Sequence, residues 1–233
     1  AQLEDIILAG NAHKQKLPNG ETRGFFLGAG TGYGKGRTIA GIILDNWNQG
    51  KKKAVWLSKN DAAHRDSPDY WEEVGGDPKK IVKAKNARNP INADEGVLLM
   101  TYGTLRSGYN ITQEYTEMDN FWTDPHENRL QQIAQWCGRD FDGVIVFDES
   151  HEMGNAVPLR GERGTKKPAA QALAGVMLQR LLPNAKIVYS SATGATEVSN
   201  LAYARRLGLW GDGTPFSNVQ DFVAAIESSG VAG

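Results

Sequence analysis

Short apolar runs alternate with stretches of helical periodicity along most of this 233-residue chain. The continuous apolar or β-prone runs predict buried strands. They cover residues 24–27, 54–58, 81–84, 96–102, 143–147 and 185–189. Apolar residues at spacings of three and four predict helices. These cover residues 2–14, 38–50, 60–74, 126–137, 169–182, 196–207 and 218–228.

Strands that alternate with helices predict one α/β domain, with a mainly parallel central sheet and helices on both faces. Within the third predicted helix, Pro68 marks a break or a kink. Two stretches lack a clear period. Residues 106–124 read as a long polar loop, and residues 154–168, rich in Gly, Pro, Lys and Arg, read as a mobile segment.

Polar clusters follow three of the predicted strands, at residues 28–38, 148–151 and 191–193. In open parallel sheets, ligands bind at the carboxyl ends of the strands. We therefore expect the three clusters to converge in space, although they are far apart in the sequence.

The first cluster has the pattern of a phosphate-binding loop: a strand, a glycine-rich turn, Lys35 and a helix. Glycines let backbone N–H groups converge on an anion, and the helix N-terminus adds partial positive charge. The alternative is a plain glycine-rich turn, which four alternating glycines followed by lysine make the weaker interpretation. The predicted nucleotide-binding residues are Gly30, Thr31, Gly32, Tyr33, Gly34, Lys35, Gly36 and Arg37.

Gly36 departs from the usual loop, in which a Ser or Thr after the lysine places its hydroxyl on Mg²⁺. Either Thr38 supplies the hydroxyl from the first helical turn, or water takes that place. We favour water, with the carboxylate of Asp148 carrying more of the metal coordination.

Asp148 and Glu149 end a buried strand, where adjacent carboxylates are costly unless a cation or a reaction uses them. We predict that Asp148 holds Mg²⁺, through water, and that Glu149 polarises the water that attacks a γ-phosphate. The alternative is an exposed pair of acids at a turn.

His151 lies three residues after Asp148 and has two interpretations. It is either an ordinary polar residue or, with Ser191 and Thr193, it couples the nucleotide site to a ligand bound across the domain. The alternative for this cluster is a helix N-cap, because Thr193 and Thr196 precede a helical run and Glu197 could complete a capping box.

Composition adds little to this picture. The formal net charge is -1, so the chain as a whole has no basic field that points to nucleic acid. A local basic patch is compatible with this sum, because the net charge averages over the whole chain. The single cysteine, Cys137, excludes an internal disulfide, fits a reducing compartment and is interpreted as a small buried apolar residue. No apolar run approaches the length of a membrane span. Because the chain does not begin with Met and ends without an obvious stop, we expect a fragment of a longer protein.

In order, the glycine-lysine loop, the Asp-Glu-x-His sequence and Ser191-Ala192-Thr193 resemble motifs I, II and III of superfamily-two helicases and translocases. More narrowly, the chain resembles the strawberry notch family over nearly its whole length, and the Gly-Lys-Gly-Arg form of motif I is typical of that family. Gly36 therefore looks like a family trait. The stretches that carry the resemblance are 34–38, 135–138, 143–149, 191–195 and 206–211, extended by 213–216 and 225–227.

This resemblance implies that residues 1–233 form the first RecA-like P-loop NTPase domain of an ATP- and Mg²⁺-dependent DNA helicase or translocase. A second RecA-like domain in the full-length chain would supply the transition-state arginine. The alternative is a nucleotide-dependent scaffold, or a transcription or chromatin coregulator module, without strand separation. The location would be cytoplasmic in a prokaryote or phage and nuclear in a eukaryote, with no membrane partner.

The resemblance also implies roles for individual residues. Lys35, Glu149 and His151 would be catalytic, and Gln2 would contact the adenine edge. The nucleic-acid backbone would be held by residues at two strand ends, for which ordinary strand-to-helix capping is the alternative. These residues are Ser58, Lys59, Thr101 and Tyr102.

Overall fold

The computed structural model describes residues 1–30, 32–84, 90–108, 120–123, 128–154, 156, 159–161, 164–166, 168–192 and 198–229. The strands within these ranges are β1 (Phe25–Leu27), β2 (Lys53–Ser58), β3 (Ile81–Lys83), β4 (Gly96–Thr101), β5 (Val144–Asp148), β6 (Leu159–Gly161), β7 (Gly164–Lys166) and β8 (Lys186–Ser190). Its α-helices are α1 (Gln2–His13), α2 (Lys35–Asn48), α3 (Ser67–Glu73), α4 (Tyr102–Leu105), α5 (Asn120–Thr123), α6 (Arg129–Cys137), α7 (Ala170–Leu181) and α8 (Val219–Ser228).

Six strands form one sheet in the order β1-β8-β5-β2-β4-β3, and every pairing is parallel. Successive residues of a strand point to opposite faces, so alternate apolar side chains build two separate cores. On one face, Trp56 and Val146 pack with residues of α1, α2 and α3. On the other face, Leu57 and Phe147 pack with residues of α4, α6 and α7. The predicted α/β fold class, with its parallel sheet covered on both faces, is confirmed.

Three predicted segments differ from the structure. The helix predicted over 60–74 begins only at Ser67, because Pro68 occupies the first turn, where a missing N–H costs least. The predicted loop 106–124 contains the short helix α5, although residues 109–119 lie outside the described part. Within the segment predicted to be mobile, β6 and β7 pair as an antiparallel hairpin.

The helix predicted over 196–207 is also wrong, because the chain there forms two short 3₁₀ turns, Val198–Leu201 and Arg205–Leu207. Arg206 supplies the physical reason. Its fully buried guanidinium donates to the carbonyls of Thr22, Gln179, Leu182 and Ala185 at 2.6–3.1 Å. These long-range bonds fix the local backbone and override its helical pattern.

His13, the last residue of α1, makes stability depend on pH. It is 7% exposed, its Nε2 lies 3.1 Å from the carbonyl oxygen of Ile187, and burial lowers its pKa to about 4. Between that value and the ordinary 6.5, the unfolded chain binds more protons than the folded chain. This contribution to stability is therefore complete above about pH 6.5 and falls as the pH drops towards 4.

We expect His13 to reduce the free energy of unfolding by about 2 kcal/mol between pH 7.5 and pH 5. Substitution His13→Gln keeps a donor for Ile187 but does not titrate, so this part of the pH slope should disappear. Urea unfolding of both proteins at the two pH values measures the difference. Equal slopes in the two proteins would contradict the assignment.

Candidate functional site

The glycine-rich loop and the acids after β5 leave the sheet at the same edge. Leu27 at the end of β1 and Asp148 at the end of β5 are both register partners of Ser190 on β8, the strand between them. The backbone N–H of Ser191 donates to the carbonyl of Leu27 at 3.3 Å. Since neighbouring strands lie about 4.8 Å apart, the two chain segments emerge about 10 Å from each other. The predicted convergence at the carboxyl edge is confirmed for the described residues.

Glycine is required at two positions of the loop. Gly34, at the start of α2, has φ 86°, and a Cβ there would lie 2.2 Å from Nε2 of Gln2. Gly32 has φ 83°, also in the left-handed region. The loop can therefore turn tightly while presenting backbone N–H groups at the N-terminus of α2. The predicted residue Thr31 lies outside the described residues.

Helix α1 braces this loop from outside. Gln2 Nε2 donates to the carbonyl of Tyr33 at 2.9 Å, and the Tyr33 hydroxyl donates to Asp5 Oδ2 at 2.9 Å. The bond to Asp5 raises the pKa of the Tyr33 hydroxyl, so the hydroxyl stays protonated as a donor. The structure thus places Gln2 beside the loop, and its contact with adenine stays a prediction. Sequence reasoning missed Asp5, whose signal is its position one turn after Gln2 on the same helix.

Lys35, the first residue of α2, directs its amine into the curve of the loop. Its Nζ donates to the carbonyls of Ala29 at 2.9 Å and Gly30 at 3.3 Å. Two other predicted residues have partners elsewhere. Arg37 Nε donates to Glu73 on α3 at 2.9 Å, and the buried hydroxyl of Thr38 lies 3.3 Å from the Gly34 carbonyl. Thr38 is thus buried, with its partner at the N-cap of α2, and the choice between Thr38 and water as a metal ligand stays a prediction.

The predicted metal ligand, Asp148, is held by its neighbours in a defined orientation. Its Oδ1 accepts hydrogen bonds from the Ser190 hydroxyl at 2.9 Å and from the Glu149 N–H at 3.0 Å. Burial raises the pKa of Asp148, an effect that the Ser190 bond opposes and the neighbouring charge of Glu149 reinforces. Sequence reasoning gave Ser190 no role, although its position at the strand end was visible.

Glu149 has the left-handed backbone conformation, φ 50° and ψ 47°. Among the described residues it is the only non-glycine residue with positive φ. Such a conformation costs of order 1 kcal/mol and persists where surrounding contacts impose it, as at active sites. We call residues 148–153, which contain it, the acid turn.

His151 connects the acid turn to the end of β8. Its Nδ1 lies 3.0 Å from the Ser191 hydroxyl and 3.4 Å from Glu149 Oε2. The structure thus brings together His151 and Ser191, as the coupling hypothesis requires. Thr193, the third member, lies outside the described residues, and the coupling itself stays a prediction.

Two of the four residues predicted to hold a nucleic acid need correction, because their side chains are buried. Ser58 is 0% exposed and Tyr102 is 1% exposed, so neither side chain is accessible to a nucleic-acid strand in this structure. Thr101 Oγ1 accepts the N–H of Thr104 at 3.1 Å and thereby caps α4, which is the capping alternative. Lys59 is exposed and remains a candidate for phosphate contact.

The residues present fit Mg²⁺ held largely by substrate oxygens. Within the ranges that the structure describes, no three His, Cys, Asp or Glu side chains cluster as a complete metal cage. Mg²⁺ commonly takes one or two carboxylates and completes its shell with waters and phosphates. A single oriented carboxylate, Asp148, near a phosphate-binding loop matches that pattern.

The loop at the start of α2 and the acid turn across β8, on a parallel sheet of this order, define a P-loop NTPase domain with a RecA-like fold. The chain belongs to the strawberry notch family of such proteins. A family model described as "P-loop containing NTP hydrolase pore-1" matches all of residues 1–233.

Among its relatives, strawberry notch homolog 1 of Gallus gallus is 41% identical over 238 residues, which cover 99% of this chain and 18% of the relative. The strawberry notch protein of Drosophila melanogaster is 40% identical over 99% of this chain and 14% of its own length. FORGETTER 1 of Arabidopsis thaliana is 40% identical over 98% and 17%, respectively. The chain thus spans less than a fifth of the length of these relatives.

Solved structures with the same fold include two ATPase and helicase domains. The Sulfolobus solfataricus SWI2/SNF2 ATPase core, solved in complex with dsDNA, matches with TM-score 0.57 and 14% identity, covering 97% of this chain and 39% of that one. The Pyrococcus furiosus Hef helicase domain matches with TM-score 0.55 and 15% identity, covering 89% and 36%. Among the described helices, none is both long enough and apolar enough to cross a membrane.

Proposed function

We propose that residues 1–233 are the first motor domain of a superfamily-two DNA translocase or helicase, which hydrolyses ATP and uses the closure of a cleft to move along or remodel DNA. The observation that carries this proposal is the placement of the Lys35 loop and the strained Glu149 at one sheet edge, separated by a single strand. The dsDNA complex of the SWI2/SNF2 core supports DNA as the partner, by fold alone.

The proposed mechanism gives each residue one task. Loop N–H groups and the Lys35 amine bind the outer phosphates of ATP. Asp148, oriented by Ser190, would hold Mg²⁺, which when bound would supply neutralisation of the phosphate charge. Glu149 orients the attacking water and accepts its proton as the new bond to the γ-phosphorus forms and the bond to the ADP oxygen breaks.

Two further contacts would serve coupling and adenine recognition. Through the contact of His151 with Ser191, a conformational change in the acid turn would move the end of β8. Gln2, which already bonds to the loop, would read the adenine edge. An arginine from a second RecA-like domain would complete the stabilisation of the transition state.

A nucleotide-dependent scaffold is the competing proposal. Gly36 lacks the usual hydroxyl ligand, and the buried hydroxyl of Thr38 bonds to the Gly34 carbonyl at the N-cap of α2. A site that binds nucleotide but turns it over slowly is consistent with this geometry. Stimulation of ATP hydrolysis by double-stranded DNA distinguishes the two functions, because only a motor couples hydrolysis to DNA.

We expect the isolated 233-residue segment to hydrolyse ATP about 10³-fold more slowly than the intact protein on DNA, because a missing transition-state arginine costs that much or more. Phosphate release by both proteins, with and without double-stranded DNA, measures this. Fast turnover by the isolated segment that Glu149→Gln abolishes would place the arginine within this segment. Intact protein that binds ATP but shows no stimulation by DNA would favour the scaffold.

A further inference from the structure

Tyr102 reaches from one strand end, across a neighbouring strand, to the acid turn. It starts α4 directly after β4, and β2 lies between β4 and β5 in the sheet. Its hydroxyl donates to the carbonyl oxygen of Asp148 at 2.8 Å, while its ring is only 1% exposed. Because the ring is fixed by the core, the hydroxyl is presented from a rigid support.

That carbonyl belongs to the peptide unit that joins Asp148 to Glu149. The N–H of the same unit donates to Asp148 Oδ1 at 3.0 Å. Both polar ends of this peptide unit are therefore bonded, one by Tyr102 and one by the Asp148 carboxylate. A peptide unit held at both ends cannot flip without breaking two partly buried hydrogen bonds.

The residue after this unit is the one that needs such support. Glu149 has φ 50°, a conformation that a non-glycine side chain disfavours. Two other contacts hold the turn further on: the hydroxyls of Ser150 and Tyr203 lie 3.0 Å apart, and Gln171 Nε2 donates to the Glu152 carbonyl at 2.6 Å. Among the described residues, Tyr102 on α4 is the residue from outside the acid turn whose side chain bonds to the peptide unit before Glu149.

We propose that Tyr102 is a positioning residue that holds Glu149 in its left-handed conformation and so aims its carboxylate at the attacking water. This assignment rests on the proposed ATP hydrolysis and replaces the role in nucleic-acid contact that the sequence suggested for the Tyr102 side chain. Tyr102 directly follows Thr101, and the sequence predicts that this strand end contacts nucleic acid. A movement of the strand end would therefore reach the Asp148 carbonyl through the Tyr102 hydrogen bond.

The test uses Tyr102→Phe in the intact protein, which removes one hydroxyl and keeps the buried ring. Tyr189→Phe is the control, because Tyr189 is as deeply buried and the bonds of its hydroxyl lie outside the acid turn: it donates to Gln179 at 2.6 Å and accepts the N–H of Arg206 at 3.2 Å. For both variants and the wild type, kcat and KM for ATP are measured with saturating double-stranded DNA. Hydrogen exchange of the backbone amides of residues 148–153 is measured in parallel.

We expect Tyr102→Phe to lower kcat about tenfold relative to Tyr189→Phe, with KM within about twofold, because the loss acts on the chemical step and not on nucleotide binding. Amide exchange in the acid turn should become faster in Tyr102→Phe alone. Equal kcat and equal exchange in the two variants would overturn the role of Tyr102 while leaving ATP hydrolysis intact. Absence of ATP hydrolysis by the wild type would instead refute the proposed function, and the assignment with it.

Discussion

Substitution Glu149→Gln in the intact protein is expected to lower the rate of ATP hydrolysis by about 10²- to 10⁴-fold, the range of a positioned general base. The side-chain amide keeps the size and the local contacts of the carboxylate, but it cannot accept the proton of the attacking water. The affinity for ATP should change by no more than about threefold, because binding depends on the loop and Lys35. Steady-state phosphate release and equilibrium binding of an ATP analogue measure the two effects.

Glu152→Gln is the matched control for this change. Glu152 lies on the same acid turn, so its replacement removes the same charge from the same segment. We expect this variant to keep most of its activity. Equal losses in the two variants would indicate a general electrostatic effect, and unchanged turnover in Glu149→Gln would remove Glu149 from the mechanism.

Lys35→Ala is expected to weaken ATP binding by about 100-fold or more, equivalent to about 2.7 kcal/mol. The Lys35 amine lies at the inner side of the loop, where the carbonyls of Ala29 and Gly30 hold it, and charge-assisted bonds to phosphate are among the strongest hydrogen bonds in proteins. Titration with a fluorescent ATP analogue measures the affinity.

The fold should survive this substitution, because the two bonds of Lys35 lie within one surface loop and contribute little to the cores. Circular dichroism and thermal unfolding test this point. Lys52→Ala removes an exposed lysine that lies over the Trp47 ring, 5.0 Å from its centroid, and should leave ATP binding unchanged. Wild-type affinity in Lys35→Ala would exclude the phosphate-loop assignment.

The sheet was largely predictable, because buried parallel strands are continuous apolar runs and their carboxyl ends carry the polar clusters. The apolar run 143–147, which is followed by Asp148, is an example. In the sheet, Asp148 at the end of this strand pairs in register with Ser190 of β8. Loops and helix ends were less predictable. The buried guanidinium of Arg206, bonded to four carbonyls of distant segments, decides the local structure after residue 204, and no local pattern reveals such bonds.

Within the candidate site, the sequence indicated which strand ends carry polar residues, but it did not indicate the direction of their side chains. The strand-end positions of Ser58 and Tyr102 suggested contact with a nucleic acid, yet both side chains point into the protein. Whether such a side chain faces solvent depends on the opposing elements, which a single sequence does not specify. The same limit hid Asp5 and Ser190, whose partners, Tyr33 and Asp148, are 28 and 42 residues away.

The proposed function depends most on Lys35 and the acid turn binding the same nucleotide. A crystal structure of the protein with Mg²⁺ and a non-hydrolysable ATP analogue tests it most directly. We expect the phosphates to bind the N–H groups at the start of α2 and Lys35, with the γ-phosphate and Mg²⁺ facing Asp148 and Glu149. An analogue bound elsewhere, or bound to the loop with its γ-phosphate directed away from Asp148 and Glu149, would contradict the account.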